Sequence, residues 1–206
     1  MISLKKTEVE SKKIKDFLNN NIDIFFTDII ERLSSIKRYN TRKFIIPQNV
    51  LEHEGSVTLI SMVISDYFNE IGIKNNTEKV MRMAIFHDTD EIISGDLPHD
   101  SKYDYGEVSK SIRSSLKLLE EISFNDIISK IKNDKLIDKY KGIYKEIKAK
   151  ECIESKIIKL ADFIDVIIYS KIENKLGNSS IIKEYNNSTK RFNELLEKIL
   201  NYYDGE

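Results

Sequence analysis

The stretch Val80-Met-Arg-Met-Ala84-Ile-Phe-His87-Asp88-Thr-Asp-Glu91-Ile-Ile-Ser-Gly95-Asp96-Leu97-Pro98 decides how this chain is read. Its first half repeats apolar residues at helical spacing. A helix therefore opens at Thr77, a suitable N-cap, and carries Val80, Met81, Ala84 and Ile85. The same helix delivers His87, Asp88 and Glu91 and stops before Gly95, with Asp96-Leu97-Pro98 as a turn. An apolar run leading straight into a His-Asp pair puts an imidazole and a carboxylate beside the core. Burying them is costly unless a cation offsets the charge. Neutral imidazole and carboxylate together suit borderline divalent ions. His87 and Glu91 stand at i and i+4 and share a face. His87 and Asp88 point about 100° apart on a helix, so other elements must complete a shell.

Outward from that stretch the pattern stays helical. Thr7-Glu8-Val9-Glu10 reads as a capping box opening a first helix to about residue 20, and a second runs over about 22–37. After the loop Arg38-Tyr39-Asn40-Thr41-Arg42, the capping-box-like Asn49-Val-Leu-Glu52 opens a long helix to Gly72, with Val57, Ile60, Ile64, Phe68 and Ile71 on its buried face. Val108, Ile112, Ser115, Leu116, Leu119 and Ile122 form one stripe of a further helix. Ser123-Phe-Asn-Asp126 caps a short helix to about residue 132, and another covers 135–148. A strongly apolar helix spans 151–176, ended by Gly177, and a last one spans 180–203. Phe25, Phe26, Phe68 and Phe86 read as core. With two prolines, seven glycines and no alternating strand pattern, the expected fold is all-α. The expected organisation is a single domain over 1–206, with an N-terminal helical extension (1–30), a core (31–175) and a C-terminal helix (178–204).

Composition narrows the partners. Thirty-three Lys+Arg against 34 Asp+Glu give no global attraction to nucleic acid or an anionic membrane. Between Lys130 and Lys150 eight lysines face three acids (Asp134, Asp138, Glu146), which reads as a solvated helix face. The single cysteine, Cys152, excludes an intrachain disulfide framework and reads as a small core residue. No stretch resembles a signal peptide or a membrane span, so a cytoplasmic location is expected.

Of the three histidines, His53 and His87 sit in acidic company, Glu52-His53-Glu54 and His87-Asp88-Thr-Asp-Glu91. His99 follows Leu97-Pro98 and reads as a loop or surface residue without a ligand role. A fourth ligand should be an acid within an apolar helix. Asp162 and Asp165, in Ile157-Ile-Lys-Leu-Ala161-Asp162-Phe-Ile-Asp165, both qualify, and spacing alone does not choose between them.

Ile36-Lys-Arg38-Tyr39, Glu52-His53, His87-Asp88-Thr-Asp-Glu91, Gly95-Asp96-Leu97-Pro98, Lys102 and Leu160-Ala161-Asp162 occur in that order. Over about 31–171 the chain thereby resembles the HD-domain 5′-deoxynucleotidases of the YfbR-like group. The resemblance implies an HD-domain helical bundle and one divalent metal ion (Mn, Co, Mg, Zn, Fe or Ni) held by His53, His87, Asp88 and Asp162. It also implies that Glu91 handles the attacking water and Asp96 the sugar or leaving oxygen. Arg38 and Tyr39 would line the phosphate and sugar pocket, and Lys102 would neutralise phosphate charge. The group commonly has tryptophan where this chain has Tyr39, and a small hydroxyl residue where it has Leu51.

The expected activity is removal of phosphate from 5′-(deoxy)nucleoside monophosphates by a homodimer, with no nucleic-acid or membrane partner. Two alternatives differ in their products. One is release of tripolyphosphate from deoxynucleoside triphosphates, with the lysine-rich segment holding extra phosphate. The other is a non-catalytic nucleotide-binding helical module with the metal as a staple. Tyr103 and Tyr105, following the Asp96 loop, are candidates to close over a base.

Overall fold

A computed structural model describes residues 2–203, without the side chains of residues 2–6, 23, 24, 99 and 100. The backbone is helical throughout: α1 (Ile2–Asn21), a π-helical turn (Ile22–Phe26), α2 (Thr27–Ser35), α3 (Val50–Glu70), α4 (Thr77–Phe86), α5 (Glu91–Ser94), α6 (His99–Tyr103), α7 (Gly106–Ser129), α8 (Asp134–Ala149), α9 (Ile153–Lys175), a 3₁₀ turn (Ser179–Ile181) and α10 (Ile182–Tyr203). Among the described residues the sole extended pairing is one antiparallel bridge, Lys37 to Asn49. It closes the loop between α2 and α3. No helix is long and apolar enough to cross a membrane. Asp204 lies outside the described residues.

Two apolar clusters hold the bundle. The first joins α3, α4, α8, α9 and α10 through Val57, Val80, Met83, Ile157, Leu160 and Ile199. The second joins the α2 side to α5, α7 and α8 through Leu33, Ile92, Phe124, Ile127 and Tyr144, with Phe17 of α1 packed on it. His53 and the 87–90 turn sit between the two clusters, because α3 and α4 each contribute an apolar face to one and a ligand-bearing end to the gap.

Several sequence expectations need correction. α1 begins at Ile2, so Thr7 lies inside it. The second helix opens with the π turn and stops at Ser35; Ile36 is already extended, because its carbonyl accepts from Val50 N at 3.0 Å. Asn49 does form a capping box with Glu52, but Asn76, not Thr77, caps α4, its side chain accepting from Lys79 N at 3.0 Å. The helix does not continue from Ser123 as a separate element; α7 runs unbroken to Ser129 with Ser123 and Phe124 buried. Its outer side carries Val108, Leu119 and Ile122, all exposed, while Leu116 faces in. Ile71 caps α3 and is exposed, as is Phe26, on the far side of the π turn from Phe25. Cys152 is half-buried at the N-cap of α9. The backbone of His99 opens α6 rather than a loop; the reading of its side chain falls outside the described residues.

Candidate metal centre and phosphate cavity

α4 ends at Phe86, one residue before the ligands. His87, Asp88, Thr89 and Asp90 form a turn, and a new short helix starts at Glu91 with Glu91 N donating to Asp88 O at 2.9 Å. This break lets the adjacent His87 and Asp88 side chains converge. Asp88 Oδ2 lies 3.3 Å from His87 Nε2 and 3.4 Å from His53 Nε2. The two Nε2 atoms are 3.3 Å apart. From α9, Asp162 Oδ1 reaches within 3.5 Å of His53 Nε2.

The other nitrogens fix the tautomers. His87 Nδ1 lies 2.6 Å from Ala84 O, to which it can only donate. His53 Nδ1 lies 2.8 Å from Asp165 Oδ2 and 2.6 Å from Arg38 Nη1. A ring nitrogen cannot donate to one and accept from the other at once. The carboxylate is the stronger partner, so Nδ1 carries the proton and Arg38 shares Asp165, at 3.2 Å. Both Nε2 lone pairs then face Asp88 and Asp162. Four acceptors aimed at one point need a cation among them. Ligand atoms bound at about 2.1 Å around one tetrahedral ion stand roughly 3.4 Å apart, close to the 3.3–3.5 Å separations here. The donor set thus fits a divalent ion. The α9 helix also separates its two acids: Asp162 turns to the Nε2 side of His53, and Asp165 to the Nδ1 side, where it orients the ring.

Electrostatics agree. Burial works against ionisation of Asp88, but His87, His53 and Arg38 hold its carboxyl well below the usual range. Burial opposes Asp162 too, and Lys159, His53 and Arg38 overcome it. Burial and Arg38 pull His53 down, yet Asp165, Asp88 and Asp162 bring it out above its ordinary value. Burial lowers His87. Glu91 is raised well above the carboxylate range by burial, then by Asp88 and Asp96, with Lys102 opposing.

A cavity of about 290 Å³ opens over this point. Arg38, Tyr39, Glu91, Asp96 and Lys102, all singled out in the sequence, line it together with Asp88 and Asp162. His53 is fully buried beneath. Tyr39 adopts φ +55, in the left-handed region, and its amide donates to Asp96 Oδ2 at 2.9 Å. That bond ties the Arg38 loop to the Asp96 loop. Gly95 makes the turn possible, with φ +68 just after α5. Tyr39 stacks on Tyr169 at 5.8 Å. Tyr103 lines the cavity, whereas Tyr105 is exposed outside it.

Four participants escaped sequence reading. Lys159 donates to Asp162 Oδ2 at 2.6 Å and lines the cavity; its place one turn before Asp162 was the available signal. Glu54, buried beside His53, accepts from Thr89 Oγ1 at 3.1 Å and is pushed up to about 9 by burial and Asp88. Buried Asp90 binds Lys148 at 3.0 Å, and Lys148 also reaches Glu120 at 3.1 Å. Lys148 is thus the exception in the lysine-rich segment. Asp90 and Lys148 are 58 positions apart, and nothing local in the sequence joins them.

A helical bundle that gathers two imidazoles and two carboxylates from α3, the 87–90 turn and α9 beneath a cationic cavity has the architecture of the HD-domain phosphohydrolases. Comparison with solved structures agrees on the fold: an HD-domain phosphohydrolase from Listeria innocua superposes with a TM-score of 0.71 at 24% identity, covering 88% of this chain and 84% of the other. A conserved protein from Pyrococcus furiosus gives 0.68 at 22%, covering 89% and 96%. Among curated proteins, the 5′-deoxynucleotidase of Shewanella oneidensis is 27% identical over 172 residues, 82% of each chain. The 5′-deoxynucleotidase YfbR of Shigella boydii is 25% identical over 154 residues, 74% of each. The family model for YfbR-like 5′-deoxynucleotidases matches residues 25–204. The chain belongs to that family. Most of α1 lies outside the match.

Proposed function

We propose that this protein hydrolyses the phosphomonoester of 5′-deoxynucleoside monophosphates, with one divalent cation held by His53, His87, Asp88 and Asp162. The observation that carries the reading is the set of four convergent acceptors at the floor of a cavity walled by Arg38, Lys102 and Lys159. A divalent cation bound there supplies Lewis acidity and lowers the pKa of water. The protein's own groups do the rest. Arg38 engages Asp165, Gln48 and His53 through Nη1 alone, which leaves the remaining fork for phosphate oxygens. Lys102 adds charge from α6. Glu91, whose burial favours holding a proton, accepts one from the attacking water. Asp96, locked to the Tyr39 amide, stands at the sugar and leaving oxygen. With Tyr39 it forms the wall that a 2′-hydroxyl would meet.

A homodimer in the cytoplasm completes the reading. The exposed apolar row Leu59, Val63 and Tyr67 on α3 supports the first, and a lone cysteine supports the second. The test is phosphate release from deoxy- and ribonucleoside monophosphates and triphosphates with Mn²⁺, Co²⁺ or Mg²⁺ added. Orthophosphate from the deoxy monophosphates is expected. Tripolyphosphate from triphosphates, or silence on every nucleotide, would replace this reading.

A further inference from the structure

The roles above use the inner end of the cavity and leave its outer wall without one. α10 supplies that wall. Lys183, Asn187 and Arg191 recur at i, i+4 and i+8, so they share one helix face. All three line the cavity, and all three line a second hollow that opens outward with Asp104, Lys190 and Glu194. The register of this face is fixed from both sides. Inward, Ile199 is buried in the first core cluster, with Phe192 and Leu195 packed beside it. Outward, Arg42 Nη1 holds Glu184 Oε1 at 2.5 Å. That contact ties α10 to the loop carrying Arg38 and Tyr39.

The charge on this wall is nearly balanced. Arg42 pairs with Glu184, Lys183 lies 3.9 Å from Asp104, and Lys190 lies 3.9 Å from Glu194. Cations so matched with acids are a poor seat for a further polyanion. Directional groups remain: a carboxamide on Asn187, a guanidinium fork on Arg191, and the ring of Tyr103. Arg191 Cζ lies 6.0 Å from the Tyr103 ring centroid, and Arg113 Cζ lies 5.2 Å from it. Asn and Arg are the side chains that make paired hydrogen bonds to purine edges, Asn to adenine N6/N7 and Arg to guanine O6/N7. Pyrimidines have no N7. Aromatic and guanidinium planes stack on bases.

We infer that the Asn187–Arg191 face of α10, with Tyr103, is the nucleobase subsite, and that it selects purine over pyrimidine nucleotides. This rests on reading the inner end as the phosphate end. The subsite places the base against α10 and the phosphate against Arg38 and Lys102, across the sugar wall of Tyr39 and Asp96.

The experiment compares wild type with Asn187→Ala, Arg191→Ala and the double variant. Asn187 and Arg191 are exposed, so the fold should survive; circular dichroism checks it. The substrates are dGMP, dAMP, dCMP, dTMP and the base-free 2-deoxyribose 5-phosphate. The double variant should lose roughly ten- to hundredfold more kcat/KM on dGMP and dAMP than on the base-free phosphate, mostly through KM. Its purine-to-pyrimidine ratio should collapse. Equal losses on all five substrates, or an unaltered ratio, would overturn the subsite. A second arm measures calorimetric binding of dGMP and of 2-deoxyribose 5-phosphate to EDTA-treated protein. If wild type binds dGMP the tighter and the double variant erases that difference, the subsite stands even where no phosphate is released. The proposed hydrolysis alone would then fail. If dGMP holds no advantage in wild type, the subsite falls.

Discussion

Replacing Lys148 by methionine keeps the aliphatic stem and removes the ammonium that donates to Asp90 Oδ2 at 3.0 Å and Glu120 Oε2 at 3.1 Å. Asp90 is 2% exposed, so its carboxylate cannot turn to water. Breaking a wholly buried pair costs about 3–5 kcal/mol, and an exposed pair is worth at most about 1 kcal/mol. The Lys148 side chain is 27% exposed, so the expected loss lies between, about 2–3 kcal/mol at pH 7. For a chain of this size that lowers Tm by roughly 4–12 °C.

The deficit should depend on pH, and its sign is fixed. Burial, with Glu120 and Asp88, already raises the Asp90 carboxyl to about 6 against the pull of Lys148. Below that value Asp90 is neutral in both proteins, and the lysine matters little. Losing Lys148 raises the folded value further. The variant therefore falls behind as pH rises through the interval between the two folded values, and the gap closes toward pH 5. Urea unfolding of EDTA-treated wild type, Lys148→Met and Lys148→Arg at pH 5, 6, 7 and 8 measures this. Arginine should restore much of the loss. A methionine variant within about 0.5 kcal/mol of wild type at pH 7, the scatter of neutral surface changes, would refute the buried-pair argument. So would a deficit that does not change with pH.

Other consequences follow from the same geometry. Asp165→Asn keeps the shape beside His53 Nδ1 but removes the charge that fixes the tautomer; Mn²⁺ affinity, read by calorimetry, should fall roughly 10- to 100-fold with the fold intact. Glu173 is fully buried and accepts from Ile45 N at 3.0 Å, Ile46 N at 2.8 Å and Asn178 Nδ2 at 2.7 Å. Burial raises its carboxyl, but these bonds more than reverse the shift and leave it below its ordinary value. Its contribution is therefore present above the ordinary carboxylate range and lost as pH falls through the depressed folded value. Glu173→Gln should cost about 1.5–3 kcal/mol at pH 7 and less near pH 3 by urea unfolding.

The ligand-bearing segments were legible because their chemistry is local. An apolar helix running into His87-Asp88, and Asp162 within Ile157–Ile168, announce buried acids before any fold is known. The all-helical class was legible for the same reason, from spacing. What spacing cannot carry is the direction of a side chain at a break. A continuous helix through residue 94 would splay His87 and Asp88; the chain instead stops α4 at Phe86, and the turn makes the two converge. The choice between Asp162 and Asp165 needed the orientation of His53, since both acids reach that ring from opposite sides. Outward residues such as Val108, Leu119 and Ile71 were misread as core because an apolar side chain on a helix carries no record of which neighbour covers it. Asp90 and Lys148 meet only because α8 packs behind the turn.

The central claim is that four acceptors from α3, the 87–90 turn and α9 gather one cation. Calorimetric titration of EDTA-stripped protein with Mn²⁺ tests it, alongside Asp162→Ala and, as a control remote from the floor, Glu107→Ala. The account predicts one ion per chain in wild type and in the control, with binding lost or weakened at least a hundredfold in Asp162→Ala. Absence of binding in wild type, or an Asp162→Ala protein that binds as wild type does, would contradict it.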